Sequence, residues 1–130
     1  MKKHIIETQG APAAIGPYSQ AVAAGPYVFI SGQIPLDPKG VMVQGDIVVQ
    51  TVQVMENLKA ILAAVGLSLK DVVKTTVFLA DLADFQEFNR VYAEFFPQAA
   101  PARSTVQVAG LPKAASVEIE AIARRKDWPA

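Results

Sequence analysis

Arg103 stands between a proline turn at Pro101 and a run of β-forming residues. A planar guanidinium at such a sheet rim can clamp a carboxylate through two parallel charged hydrogen bonds. The competing assignment is a solvent-facing arginine or a structural ion pair. Glu118 and Glu120 alternate with Val117, Ile119 and Ala121, which in a strand puts both carboxylates on one face, roughly 6–7 Å apart. Such a pair can divide acid and base work or orient a water, and it can equally be the polar outer face of a sheet. Ser31 closes an apolar run just before Gly32, where a hydroxyl and nearby backbone N–H groups can reach a ligand. There is no Gly-x-Ser-x-Gly elbow, and His4 reads as part of a frayed start, so a serine nucleophile has no support. Tyr18, after Gly16-Pro17, suits an aromatic wall or a core gap, and Asn89, beside Phe88, suits a strand cap or a ligand contact. No Gly-x-Gly-x-x-Gly and no Walker lysine is present.

These residues need elements to hold them. Turn formers crowd the first third, and Tyr27 to Ser31 reads as a strand between Gly-Pro and Gly. Asp37-Pro38-Lys39-Gly40 reads as a turn into a short Val41–Val43 strand. Val48, Val52, Met55, Leu58, Leu62 and Val65 recur at helical spacing, so a helix is expected from Asp46 to Val65, stopped by Gly66. Its outer face carries Gln53, Glu56, Lys59 and Ala60. Asp71 to Ala80 is rich in β-branched residues and poor in charge, as a central strand is. Asp84 with Glu87 forms the pattern of a capping box for a second helix, whose stripe is Phe85, Phe88, Tyr92 and Phe95. Strands at Ser104–Val108 and Ser116–Ala123 flank Gly110-Leu111-Pro112, so a closing hairpin is expected. The polar tail from Arg124 marks the edge of the fold, with Trp128 either docked or loose.

One hundred and thirty residues suit a single domain over 1–130. Mean hydropathy is +0.27, apolar for so short a chain, which favours a homo-oligomer. So does the layering: helices on one face of a small mixed sheet leave the other face needing cover. Twelve basic residues balance twelve acidic ones, which gives nucleic-acid binding no general support. No cysteine and one histidine exclude a disulfide framework, a thiolate nucleophile, every Cys-built zinc or iron–sulfur site and, within one chain, a His-rich metal site. No stretch reaches the ~18 apolar residues of a membrane helix, and the first residues do not read as a signal peptide, so a soluble, cytoplasmic protein is expected.

The sequence resembles the RidA/YjgF family of small imine deaminases. The resemblance is carried by Ala14–Ala21, Ile30–Pro35, Val73–Leu79, Phe88–Tyr92, Phe95–Pro97, Pro101–Val106 and Val117–Ala121, from about residue 5 to 125. The Pro-Ala-Arg-Ser segment followed by Glu-Ile-Glu is its specific part. It implies a chorismate-mutase-like α+β fold, two helices on one face of a mixed sheet, assembled as a homotrimer with ligand sites between subunits. It also implies hydrolysis of 2-aminoacrylate, 2-aminocrotonate and their imine tautomers to 2-oxo acids and ammonia, without metal or cofactor. By resemblance Arg103 holds the substrate carboxylate and Glu118, rather than Glu120, holds the attacking water. Tyr18, Ser31, Gly32, Asn89 and the backbone near Thr105 then line the pocket, with Tyr18 from either chain. Some active relatives have cysteine where this chain has Thr105, a change that imine hydrolysis tolerates. Two rival functions are a module that binds small carboxylates without turnover and an endoribonuclease or translation inhibitor. The second would rest on Lys2, Lys3 and Arg124-Arg125-Lys126 alone.

Overall fold

The computed structural model describes residues 2–126. Six strands, β1 (Lys3–Ile6), β2 (Ala21–Ala24), β3 (Tyr27–Gln33), β4 (Val72–Leu79), β5 (Ala102–Gln107) and β6 (Val117–Arg124), form one mixed sheet in the order β1-β2-β3-β6-β4-β5. Helices α1 (Ile47–Ala63) and α2 (Phe85–Phe95) cover one face. This is the α+β layering expected, and β4 is indeed flanked on both sides. Trp128 lies outside the described residues.

The core follows from strand parity. Val28 and Ile30 of β3, Val77 and Leu79 of β4, and Val117, Ile119, Ala121 and Ala123 of β6 are all buried beneath the helices. Against them α1 lays Val54, Met55, Leu58, Ile61 and Leu62, all fully buried. At the start of α1, the Asp46 carboxylate accepts from the Val49 amide at 3.1 Å, which fixes the entry as expected. The helix ends at Ala63, and Gly66 takes the positive φ of +74° that reverses the chain. Ala60, expected on the outer face, packs in part against the core.

Four expectations fail, each for a local reason. The last two strands do not form a hairpin. β5 pairs parallel to β4 after the α2 crossover, and β6 pairs antiparallel to β4 on its other side. Val108 N–H donates to Leu79 O and Ala80 N–H to Ser116 O, so the 109–115 loop straddles the end of β4. A strand that buries every second residue under the helices belongs between two partners, while β5, largely exposed, stays at the edge. The capping box at Asp84 is absent. A 3₁₀ turn capped by Asp81 runs straight into α2, leaving Asp84 in helical backbone with no cap bond. Such a box occurs instead at Ser68 and Asp71. Val41–Val43 contributes only an isolated bridge, Leu36 to Met42. His4 is not frayed, since β1 pairs along its length with β2, His4 against Ala23.

Among the described residues the other face of the sheet has no helix, and Ile5, Tyr27, Phe29 and Val106 stand exposed there at 51%, 40%, 45% and 45%. This face is apolar surface that the helices leave bare.

Candidate active site

Arg103, the second residue of the edge strand β5, lies opposite Thr75 of β4. Thr75 faces the helices, because its hydroxyl shares a 2.7 Å hydrogen bond with the Tyr92 hydroxyl of α2. Arg103 faces the same way, and its Nη1 donates to Asn89 Oδ1 at 2.8 Å. Its guanidinium carbon stands 4.9 Å from the Tyr92 ring centre, 5.7 Å from that of Phe85 and 5.8 Å from that of Phe88. Three π faces and a neutral amide hold the group without cancelling its charge. No salt bridge to Arg103 occurs among the described residues, so the structural-ion-pair assignment falls. Asn89 does not cap a strand: its Oδ1 accepts from the arginine and fixes it. Phe85, Phe88 and Tyr92, read from the sequence only as an apolar stripe, are the cage around it. Burial pushes the Tyr92 phenol up, opposed by its Thr75 bond and the Arg103 charge, so it stays neutral.

Glu118 and Glu120 pair with Phe78 and Thr76 of β4. These alternate with Thr75, so both carboxylates lie on the open face, opposite to Arg103. Arg103 and the two acids therefore do not meet within one chain. β4 separates the two strands, and the side chains leave opposite faces. Thr105, two residues after Arg103 and on its face, has a buried hydroxyl without a hydrogen-bond partner.

The remaining residues gather around Glu118. Tyr18, Ser31, Gly32, Ile34, Lys113 and Glu120 share with it an open cleft of about 690 Å³. A three- or four-carbon acid fills a small part of that volume, which leaves room for another wall. A register shift between Ile30 and Gln33 places Ser31 and Gly32 against β6. Ser31 Oγ donates to Ser19 O at 2.6 Å, so its lone pairs, not its proton, face the cleft. Tyr18 is 53% exposed and thus a wall, not a core filler. Lys113, which sequence reasoning did not single out, is held at φ +55° in the turn before β6. Burial first, and Glu120 second, push the Glu118 carboxyl above its ordinary value, towards the range of a general acid–base group.

Gly32 permits this arrangement. A Cβ there would come within 2.8 Å of Glu118 Cδ and closer still to its Oε2. Gly32→Ala is expected to fold, because the far end of a flexible side chain can swing away. Displacing that carboxylate should lower kcat for whatever reaction it serves by roughly ten- to a hundredfold, with an unchanged melting temperature as the control. Full activity in the alanine variant would show that the position of Glu118 does not matter.

Residues 8–125 match the family model described as endoribonuclease L-PSP. The chain is 53% identical over 124 residues to a protein of Salmonella typhimurium named 2-iminobutanoate/2-iminopropanoate deaminase, spanning 93% of this chain and 97% of that one. A Thermotoga maritima structure called a putative endoribonuclease superposes with a TM-score of 0.93 at 56% identity, covering 97% and 99% of the two chains. Escherichia coli TdcF, solved with bound serine, superposes with a TM-score of 0.90 at 52% identity, covering 95% and 99%. No helix among the described residues is long and apolar enough to cross a membrane.

Proposed function

The chain belongs to the endoribonuclease L-PSP (YjgF/RidA) family, and on that premise we propose that it hydrolyses small 2-imino acids to 2-oxo acids and ammonia. The observation that carries the reading is the caged, uncancelled charge of Arg103. It is matched to a small carboxylate. In this reading the substrate carboxylate bridges to Arg103 and presents its C=N carbon to a water held by Glu118. The water oxygen bonds to that carbon while Glu118 takes one of its protons and the C=N electron pair moves to nitrogen. Glu118 returns the proton to that nitrogen, giving the carbinolamine; it then passes the hydroxyl's proton to the amine as the C–N bond breaks, so that ammonia leaves and the carbonyl forms. One water enters and one ammonia leaves. Fixing a reactive substrate in this pose supplies much of the acceleration.

In this reading the working unit is a homotrimer, and each site takes Arg103, Asn89 and Thr105 from one chain and the Glu118 cleft from the next. The opposite facing of Arg103 and Glu118 and the bare apolar face of the sheet support it. The nuclease activity in the family's name gets no help from charge: the two carboxylates of this cleft outnumber its one lysine, Lys113, and the chain carries no net positive charge. The deciding experiment generates 2-iminopropanoate from serine with a pyridoxal-phosphate dehydratase and follows the imine by semicarbazide trapping. Faster disappearance of trappable imine, with pyruvate appearing to match, is the expected result. An unchanged lifetime would leave a module that binds small carboxylates without turning them over.

A further inference from the structure

We propose that Gln20 is a positioning residue, a buried clamp that sets the cleft wall opposite Glu118. The proposal rests on the hydrolytic reading for its kinetic consequence, and on geometry alone for its structural one. Gln20 is 4% exposed and sits just before β2. Its Oε1 accepts from the Thr8 amide at 2.7 Å. Its Nε2 lies 3.0 Å from Thr8 O, 3.4 Å from Ala11 O and 2.8 Å from Pro12 O. One amide therefore gathers the backbone of residues 8–12, a stretch with no strand partner of its own.

The same residue also borders the cleft itself and braces the strand beneath it. Ser31 N–H donates to the Gln20 carbonyl at 2.9 Å, and Ser31 Oγ to that of the neighbouring Ser19. Beyond Pro12 the loop continues through Ala13, Ile15 and Tyr18, all lining the cleft with Glu118. Within that outer part Tyr18 is held by little: its hydroxyl accepts from Ile15 N at 3.4 Å, and its backbone N–H reaches back to Gly16 O. The wall thus depends on its base. A satisfied buried amide at that base fixes it, and removing the amide strands Thr8 N–H and the Pro12 carbonyl without partners. Arg103, Asn89 and their aromatic cage lie across the sheet and share no contact with the clamp. Loss of Gln20 should therefore spare the carboxylate anchor and the Glu118 base while loosening the pocket around them.

The test uses Gln20→Met, similar in size but without the bonds, and Gln20→Glu, which keeps the acceptor for Thr8 but turns a carboxylate on three carbonyls. Hydrogen exchange of the full chain, chymotryptic cleavage after Tyr18, and KM and kcat for the imine are measured together. Exchange should rise about tenfold or more within residues 8–20 only. KM should rise about tenfold with kcat changed by no more than about threefold, since the loss falls on uniform binding. Gln20→Glu should exceed Gln20→Met on every readout, and if it fails to fold, the methionine variant decides. A loop as protected as in the parent, protection lost across the whole sheet, or a freed loop with unchanged KM would each overturn the clamp. Inactivity of the parent protein would instead sink the hydrolytic reading, and the confinement of exchange to residues 8–20 would then decide the clamp by itself.

Discussion

Arg103→Ala should lower kcat/KM for imine hydrolysis by about two to three orders of magnitude, the range expected when one partner of a charged, multiply hydrogen-bonded contact is truncated. The loss should fall mainly on KM at first and on kcat as the substrate loses its orientation, because the same contact both binds and aims the C=N carbon. Arg103→Lys should recover little. An ammonium keeps the charge but has no planar fork, and the bond from Nη1 to Asn89 uses one arm of that fork as a strut while the rest stays available. Folding should be unaffected, since β5 is an edge strand with little burial. Turnover near that of the parent at low substrate, with the melting temperature unchanged, would remove the arginine from the mechanism and with it the reading of a carboxylate anchor.

The character of this site was legible in the sequence, but its handedness was not. Residue types and alternation already placed Arg103 at a sheet rim, Ser31 and Gly32 at a strand end, and Glu118 with Glu120 on one face. Which face each strand turns to the helices is decided only when β5 and β6 both register on β4. That is a long-range fact no local pattern holds. The same gap explains the hairpin: Gly110-Leu111-Pro112 is a good local turn signal, yet burial across the sheet assigns the neighbours. β2 escaped notice because Ala21-Val22-Ala23-Ala24 offers small residues in place of a β-branched run, and β1 because four residues beginning Lys-His look like an open end. The helices, by contrast, were legible from three- and four-residue spacing, although Val52 and Val65 of the expected α1 stripe are exposed. Even there, only the fold turned the aromatic stripe of α2 into a cage for a cation.

Glu118→Gln should lower kcat by roughly two to four orders of magnitude, the span of a lost general base, with KM little changed because the anchor lies elsewhere. In the parent, activity should rise with pH as Glu118 ionises, at a pH above the ordinary glutamate range. The glutamine variant should lack that limb. The stability sign is the opposite. A carboxyl whose folded value lies above its unfolded one favours the fold fully below the unfolded value and loses that contribution as pH climbs through the folded value. At neutral pH the ionised Glu118 is thus a burden, made heavier by Glu120, so Glu118→Gln should melt higher than the parent there and converge with it in acid. The sharpest outcome comes from mixing. Arg103→Ala and Glu118→Gln subunits, each inactive alone, should regain activity when unfolded and reassembled together, with on the order of one site in four pairing an intact arginine with an intact glutamate. That fraction does not depend on the number of subunits, only on the site being shared. A mixture no more active than its components would place both groups in one chain, against the opposite facing of β5 and β6 side chains on which the shared site depends.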